Sequence, residues 1–537
     1  MALKDVALRV YALYKSARAA VAARRSGRKA WLPVLVLAQL GVLAYFARFA
    51  VIDDAFIVFR YAEHFVQGHG LVFNIAERVE GYTCFLWIML LSLPAALGLD
   101  LVVTSKILGA LFTTVTVIVT ARFFSSETTP SPQFRWIAPA LLVGNAAVGM
   151  WAVHGLETAL FTLLLTLALR ADGREGAEQQ SRVGVSAAWY GLATLARPEG
   201  LFAFLASLLF RGMAGHGSMR DRKVFHHALV YGTIVLPHIA WRYFYYGYPL
   251  PNTYYAKVAL SWPLVVRGSE YVAGYFGGFG ALLFLAVPLA LRVARRDRRI
   301  ALLACVASSQ LCAVVLEGGD AFPGYRFLVP IAPALYLLVQ TGMAELVRLS
   351  RNTGWPRHCA QILFAIALLG VPLHARHVLG SALEESRGAN VFTRRMTLVG
   401  RTLGKILPPT ARIALNPAGA IPYYSGLYTI DMLGLNDEHI AHTDVAMQAS
   451  GYAGHEKGDG EYILDRAPDL ILFGNVQIAA RGPVNLQRIR WRILGISEHE
   501  IGMSPRTQRL YVPDQLPLGN GRYLVFLRRI DFRISGR

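Results

Sequence analysis

Charge is scarce in these 537 residues: Asp, Glu, Lys and Arg make up 16%, hydrophobic residues 54%, and mean hydropathy is +0.40. That is too little charge for a soluble enzyme of this length. It is the composition of a multispanning membrane protein with a soluble portion. Acids are scarcer than bases, 34 against 54, giving a net charge of +20. The surplus does not point to nucleic acid, because Lys and Arg fall in the first 30 residues and in short loops between apolar runs. That distribution follows the positive-inside rule rather than a phosphate-tracking groove. The four cysteines, Cys84, Cys305, Cys312 and Cys359, lie in apolar segments without a CxxC or Cys/His cluster, which excludes a disulfide framework and a zinc site. No GxGxxG, Walker loop, HExxH or GxSxG occurs in its required context, so nucleotide-powered chemistry has no support. No solenoid period, low-complexity tract, lipidation motif or retention motif is present.

What is present is a succession of apolar runs. The first, 31–52, is long enough to cross a bilayer and follows a basic stretch with Arg24, Arg25, Arg28 and Lys29, which reads as a signal anchor with a cytoplasmic tail over 1–30. Further runs follow at 83–99, 101–121, 136–153, 156–169, 183–196, 200–210, 228–243, 271–291, 300–316, 327–347 and 359–379. Five basic loops mark the cytoplasmic side: Arg122 and Arg135; Arg170, Arg174 and Arg182; Arg211, Arg220, Arg222 and Lys223; Arg292 to Arg299; and Arg348, Arg351 and Arg357. Parity then requires 83–99 to be re-entrant or surface-lying and leaves about eleven crossings. Beyond residue 380 the apolar runs give way to short β-like stretches such as ARIALN, PDLILFG and YLVFLRR, alternating with helix-like ones. The expected architecture is a helical transmembrane domain over 31–380 and a soluble α/β domain over 381–537, outside the cytoplasm.

The same topology collects the polar clusters on the outer side. Asp53 and Asp54 stand where the first run ends, and two acids at a membrane surface are costly unless they serve a site; a solvated pair that merely stops the helix is the plain alternative. Neighbouring side chains on a helix diverge by about 100°, so one can act on a ligand while the other reaches a partner or an ion. Cations are few in these loops: Arg60, Arg197, Lys257, Arg267 and Arg326. Any of them could meet a phosphate, although Arg197 and Arg326 would serve equally as snorkelling anchors. His154, Glu157 and Glu199 sit where the chain re-enters the membrane, and Glu157 could simply satisfy a helix start. Asp320, between glycines and Arg326, suggests a second polar wall. Asn252 and Tyr255 belong to a Pro-constrained aromatic loop around Lys257.

Taken in order, DDAFIVFRYAEHFVQGHGLVFN, ERVEGYTCFLW, HGLETALF, LARPEGLF, YGYPLPNTYYAKV, GGDAFPGYRFLVP, YYSGLYTIDMLGLND and GHEKGDGEYILDRAPDLILFG resemble the membrane glycosyltransferases of the GT-C superfamily. The nearest group is that of the mycobacterial terminal arabinofuranosyltransferase B. Cys84, where a polar residue such as Asn is expected, and His154, where Ser is expected, depart from the pattern. The resemblance implies transfer of a sugar from a polyprenyl-phosphate donor to an envelope glycan or lipid acceptor on the outer face of the cytoplasmic membrane. It also implies that Asp53 or Asp54 is the catalytic base or a ligand of a divalent cation (Mg, Mn or Ca). Arg60, Lys257, Arg326, Arg197, His154, Glu157, Glu199, Asn252, Tyr255 and Asp320 become donor or acceptor contacts. A flippase would instead want ionisable residues at the bilayer midplane and a paired repeat. A non-catalytic envelope assembly or motility factor would leave the outer cavity idle.

Overall fold

The computed structural model describes residues 31–124, 134–175, 184–214, 222–257, 261–350, 355–444, 456–479 and 482–534. The basic tail 1–30, with Arg182, Arg220 and Arg351 of the basic loops, lies outside the described residues. The fold is mainly helical, followed by a mixed sheet.

Helix α1 (Trp31–Ala47) is apolar, and its end is closed by Lys106, whose Nζ donates to the carbonyls of Ala47 and Phe49 at 2.8 and 2.7 Å. After α2 (Asp54–Val66) and a long loop come α3 (Phe85–Ala96) and α4 (Leu101–Ala121), the latter capped by Asp100, which accepts from Val103 N at 3.0 Å. The 12 residues of α3 reach roughly 18 Å, short of a bilayer's ~30 Å core. The predicted run 136–153 is two helices, α5 (Ile137–Gly144) and α6 (Ala146–Ala152), broken at Asn145. Asn145 caps α6 with its side-chain oxygen and donates to the Tyr336 hydroxyl at 2.8 Å, a polar anchor that an uninterrupted helix would not allow.

Next come α7 (Thr158–Glu175), α8 (Val185–Ala196), α9 (Gly200–Ala214), α10 (Arg222–Tyr246) and the short α11 (Asn252–Lys257). The run expected at 271–291 is likewise broken: α12 (Trp262–Phe276) and α13 (Val287–Ala294) are joined by a 3₁₀ stretch, with a bend of 87°. Helices α14 (Arg298–Leu316) and α15 (Ala332–Leu349) follow, and α15 is buried on nearly every side. Among the described residues four helices are long and apolar enough to cross a membrane, or five counting the bent pair, against the eleven crossings expected from loop charge. Part of the difference arises where a capping Asn, a glycine pair or a short helix interrupts an apolar run, and part from α10, which is long but too polar.

Helix α16 (Trp355–Ile406) has 52 residues, roughly 78 Å, and carries the chain through residue 380 without a break. It delivers β1 (Arg412–Leu415), α17 (Ala420–Ser425) and β2 (Tyr428–Asp431), then α18 (Glu438–His442), α19 (Gly460–Asp465), β3 (Leu470–Ile471) and β4 (Ile478–Ala479). Two further helices, α20 (Ile496–Met503) and α21 (Pro505–Leu510), precede the hairpin β5 (Tyr511–Gly519) and β6 (Arg522–Arg529). Strand order is β2-β1-β3-β6-β4 with β5 on β6; β1 runs parallel to β2 and β3, and β6 is antiparallel to its partners. The parallel strands are apolar and buried, as strands covered on both faces must be.

The two parts meet on α2. Arg60 donates from Nε to Phe73 O at 2.7 Å, from Nη1 to Pro422 O at 2.5 Å and from Nη2 to Leu427 O at 2.9 Å, all buried. Phe56 packs between Tyr423 and Tyr424 at 5.2 and 5.3 Å. Replacing Arg60 with Ala should leave the Phe73 carbonyl without a donor and the Pro422 and Leu427 carbonyls with only Gly426 N and the Thr429 hydroxyl, and cost ~3 kcal/mol, with faster proteolysis between α16 and β1. Unchanged unfolding and cleavage in nanodiscs would contradict this role.

Candidate active site

Helix α2 begins with adjacent carboxylates that the structure sends in different directions. Asp53 has helical backbone angles but does not cap its own helix. Its Oδ2 accepts from Gly419 N at 3.1 Å and its Oδ1 from Ala420 N at 2.9 Å, the free N–H groups at the start of α17. Gly419 is required there, since a Cβ would stand 2.1 Å from the Asp53 carbonyl oxygen. Asp53 and Arg60 are seven residues apart, within about 20° of each other around the helix, so one face of α2 holds both ends of α17. Asp54 is turned away from that face and is only half-buried.

Around Asp54 the loops between helices bring together a charged cluster. Arg326 follows Tyr325, whose left-handed backbone (φ 54°) turns the chain into a 3₁₀ helix, Arg326–Ile331. Arg326 grips Asp320 with two parallel bonds, Nε to Oδ2 at 2.8 Å and Nη2 to Oδ1 at 3.0 Å, and lies over the rings of Phe322 and Phe327, each at 5.0 Å. Arg197, at the end of α8, donates to Glu157 at 2.8 Å and to Glu199, and its guanidinium faces Phe327 from 4.7 Å. Gln310 of α14 fixes this corner by donating to Glu199 O at 2.8 Å. Asp54, Asp320, Glu157 and Arg197 all lie within electrostatic reach of Arg326. Glu317 caps the end of α14, where burial and the nearby Glu199 carboxylate push its carboxyl well above the usual range.

The predicted site residues therefore divide. Asp54, Arg326, Asp320, Arg197, Glu157 and Glu199 come together. His154 is adjacent but inward: its Nδ1 pairs with Met150 O at 2.7 Å, its own carbonyl accepts from Ile52 N, and burial pushes its imidazole down to about 4, leaving it neutral. Asp53 and Arg60 serve the docking of α17. Asn252 clamps α11 to the sheet region by donating to the carbonyls of Gly434 and Leu435 at 2.9 and 3.0 Å. The Tyr255 ring stacks on His442 at 4.3 Å. Lys257, at the end of α11, has no ion-pair partner among the described residues.

A divalent ion shared by Asp53 and Asp54 does not fit this geometry, because both Asp53 oxygens face backbone N–H groups. Among the described residues no group of three or more His, Cys, Asp or Glu could hold a metal ion. Sequence reasoning missed Glu385 of α16, buried within reach of Asp320, Arg326 and Asp54. Its only signal is a pair of acids, Glu384 and Glu385, soon after the last apolar run.

Burial pushes Asp53 up to about 7 from an ordinary 3.8, against the pull of its two backbone donors. The folded chain thus holds a proton there that the unfolded chain releases, so this contribution to stability is full below pH 4 and falls as pH rises to about 7. Asp53→Asn, which cannot titrate, should be less stable than the parent at low pH, and the gap in Tm should narrow towards neutrality. A gap independent of pH would show that Asp53 docks ionised.

A family described as a domain of unknown function (DUF8728) matches residues 388–515, from the second half of α16 to β5. A terminal β-(1→2)-arabinofuranosyltransferase of Corynebacterium glutamicum is 28% identical over 341 residues, covering 54% of this chain and 48% of that protein. The enzyme of the same name from Mycobacterium tuberculosis is 27% identical over 292 residues, covering 50% and 45%. The chain spans about half the length of these curated relatives. Among solved structures, ArnT from Cupriavidus metallidurans bound to undecaprenyl phosphate superposes with a TM-score of 0.52 at 13% identity, covering 93% of this chain and 98% of that one. The chain thus shares the fold of ArnT, and about half of it is similar in sequence to the two terminal β-(1→2)-arabinofuranosyltransferases.

Proposed function

We propose that this chain is a multi-pass membrane glycosyltransferase. It moves a sugar, arabinofuranose or another pentose or hexose, from a polyprenyl-phosphate donor to a hydroxyl of an envelope glycan or lipid. The reaction takes place on the outer face of the cytoplasmic membrane, the side that also carries the sheet region. The observation that supports it best is the half-buried carboxylate of Asp54 within electrostatic reach of Arg326, a guanidinium that Asp320 holds in place and that lies near the Arg197 pair with Glu157. The likeness to arabinofuranosyltransferases supports the class of sugar, and the undecaprenyl phosphate bound by ArnT supports a lipid phosphate donor.

The acceptor hydroxyl oxygen attacks the anomeric carbon, the bond from that carbon to the phosphate oxygen breaks, and the hydroxyl proton passes to Asp54. A single displacement inverts the anomeric centre. Arg326 uses Nε and Nη2 on Asp320 and has no protein acceptor at Nη1 among the described hydrogen bonds, so Nη1 is the donor available to the departing phosphate. Fixing the guanidinium beforehand means that little reorganisation is needed as charge develops on that oxygen. The carboxylates around Arg197 act in the same way, as supports rather than as further bases.

Asp54→Asn should reduce transfer ~10²–10⁴-fold with unchanged Tm, because general-base catalysis contributes on that scale. Asp53→Asn should chiefly lower Tm. Purified protein in nanodiscs, labelled polyprenyl-phosphate sugars and an envelope glycan acceptor provide the assay. Full transfer by Asp54→Asn removes it as the base, and no transfer by the parent chain from any donor removes the reading.

A further inference from the structure

A cavity lies apart from the Asp54 cluster. A space of about 550 Å³, within the range of small-ligand sites, lies between the α2–α3 loop, the turn before α11, and α18 with α19 of the sheet region. Its walls combine rings with planar polar groups. Tyr462 stacks on His439 with centroids 4.0 Å apart, and Tyr248 lies 4.7 Å from the His442 ring. Polar edges come from Glu438, which accepts from the Tyr248 hydroxyl at 2.7 Å, and from Arg466.

Apart from Arg78, whose guanidinium lies 4.7 Å from the Tyr245 ring, the cations in these walls are already matched. Arg466 pairs with Glu77 at 2.7 Å and lies 3.9 Å from Asp437, and His439 meets Asp459 at 2.8 Å. A nucleic acid or free phosphate would want unpaired cations, and an apolar ligand would strand the carboxylates. Neutral polyhydroxylated molecules satisfy both features. A sugar lays its C–H face on an aromatic ring, while its hydroxyls donate to carboxylates and accept from guanidinium or imidazole. His439 and Glu438 are exposed, so the walls can be reached from solvent.

The cavity is also tied to the helix that carries Asp54. Tyr61 of α2 donates to the carbonyl of Val79, which lines the cavity, at 2.7 Å, and accepts from Gly81 N at 2.9 Å. We propose that this cavity is a carbohydrate-binding site that holds the acceptor glycan at sugar units away from the reacting hydroxyl. The acceptor role rests on the transferase reading, whereas carbohydrate binding does not.

The test is fluorescence anisotropy of the full chain in nanodiscs with short labelled arabinan and mannan oligosaccharides and no donor. The parent chain and Asp54→Asn should bind alike. The double variant Tyr248→Ala, His439→Ala, changed at the cavity's outer wall, should bind at least tenfold more weakly. Thr443→Trp, which fills the cavity and removes no ring, should weaken binding comparably. No binding by the parent chain, or parent-like binding by both cavity variants, would overturn the proposal. Binding that is lost in the variants, from a chain that transfers no sugar from any donor, would keep the site and overturn the transferase reading.

Discussion

The arrangement depends on how the six-residue helix α17 is satisfied. It lies where α2 meets the sheet region, and a helix end shielded from water must find partners for its backbone groups or lose free energy for each one left alone. Helix α2 supplies both kinds of partner from one face. Asp53 accepts from the first N–H groups of α17, and Arg60, seven residues on, donates to carbonyls at its other end. The polarity suits the helix dipole, with acid at the N-terminus and base towards the C-terminus. Each member is needed: loss of either side chain leaves buried backbone groups unpaired, and any side chain at residue 419 would collide with Asp53.

Committing Asp53 to this contact makes Asp54 distinct from it. The two carboxylates are adjacent, but a helix turns them about 100° apart, so the face that holds α17 cannot be the face that meets the charged loops. Asp54 is then placed by the docking itself, since any rotation of α2 that moved it would break the bonds of Asp53 and Arg60. Around it, Asp320 on Arg326 and Glu157 with Glu199 on Arg197 hold two guanidinium groups that would otherwise be mobile on long stems. The rings of Phe322 and Phe327 close the sides of these pairs.

What could be read from the sequence follows from how local its causes are. Apolar runs marked the helical part, because hydropathy acts over a few residues, whereas the loss of such runs after residue 380 precedes the strands: α16 continues to Ile406 and β1 starts at Arg412. The broken helices were less visible: Asn145 reads as a lone polar residue until Tyr336 is placed beside it. The six residues that cluster at the site were all recognisable as scarce charges at helix ends. Their separation from Asp53, Arg60, Asn252 and Tyr255 was not, because the partners of Asp53 lie 366 and 367 residues away. Glu385 stayed hidden for the opposite reason, since nothing local marks one acid of a charged helical stretch as buried.

The heptad spacing that pairs Asp53 with Arg60 recurs one residue later. Asp54 and Tyr61 share the next face of α2, and Tyr61 holds the α2–α3 loop through Val79 and Gly81. That loop has little regular structure, and a segment of this kind would normally be among the more mobile parts of a fold. Here the Tyr61 hydroxyl, Asn74 on Thr429 and the Glu80 to Arg242 ion pair tie it down at several points. A glycan lying against Glu77 and Arg78 would therefore be referred to the same helix as Asp54, the carboxylate proposed to take its proton. Proximity catalysis requires such a common frame, because a misplacement of an ångström at the reacting hydroxyl costs about two orders of magnitude in rate. On the proposed reading, the interface between helices and sheet does more than join two parts: it would set the distance between where an acceptor is held and where it reacts.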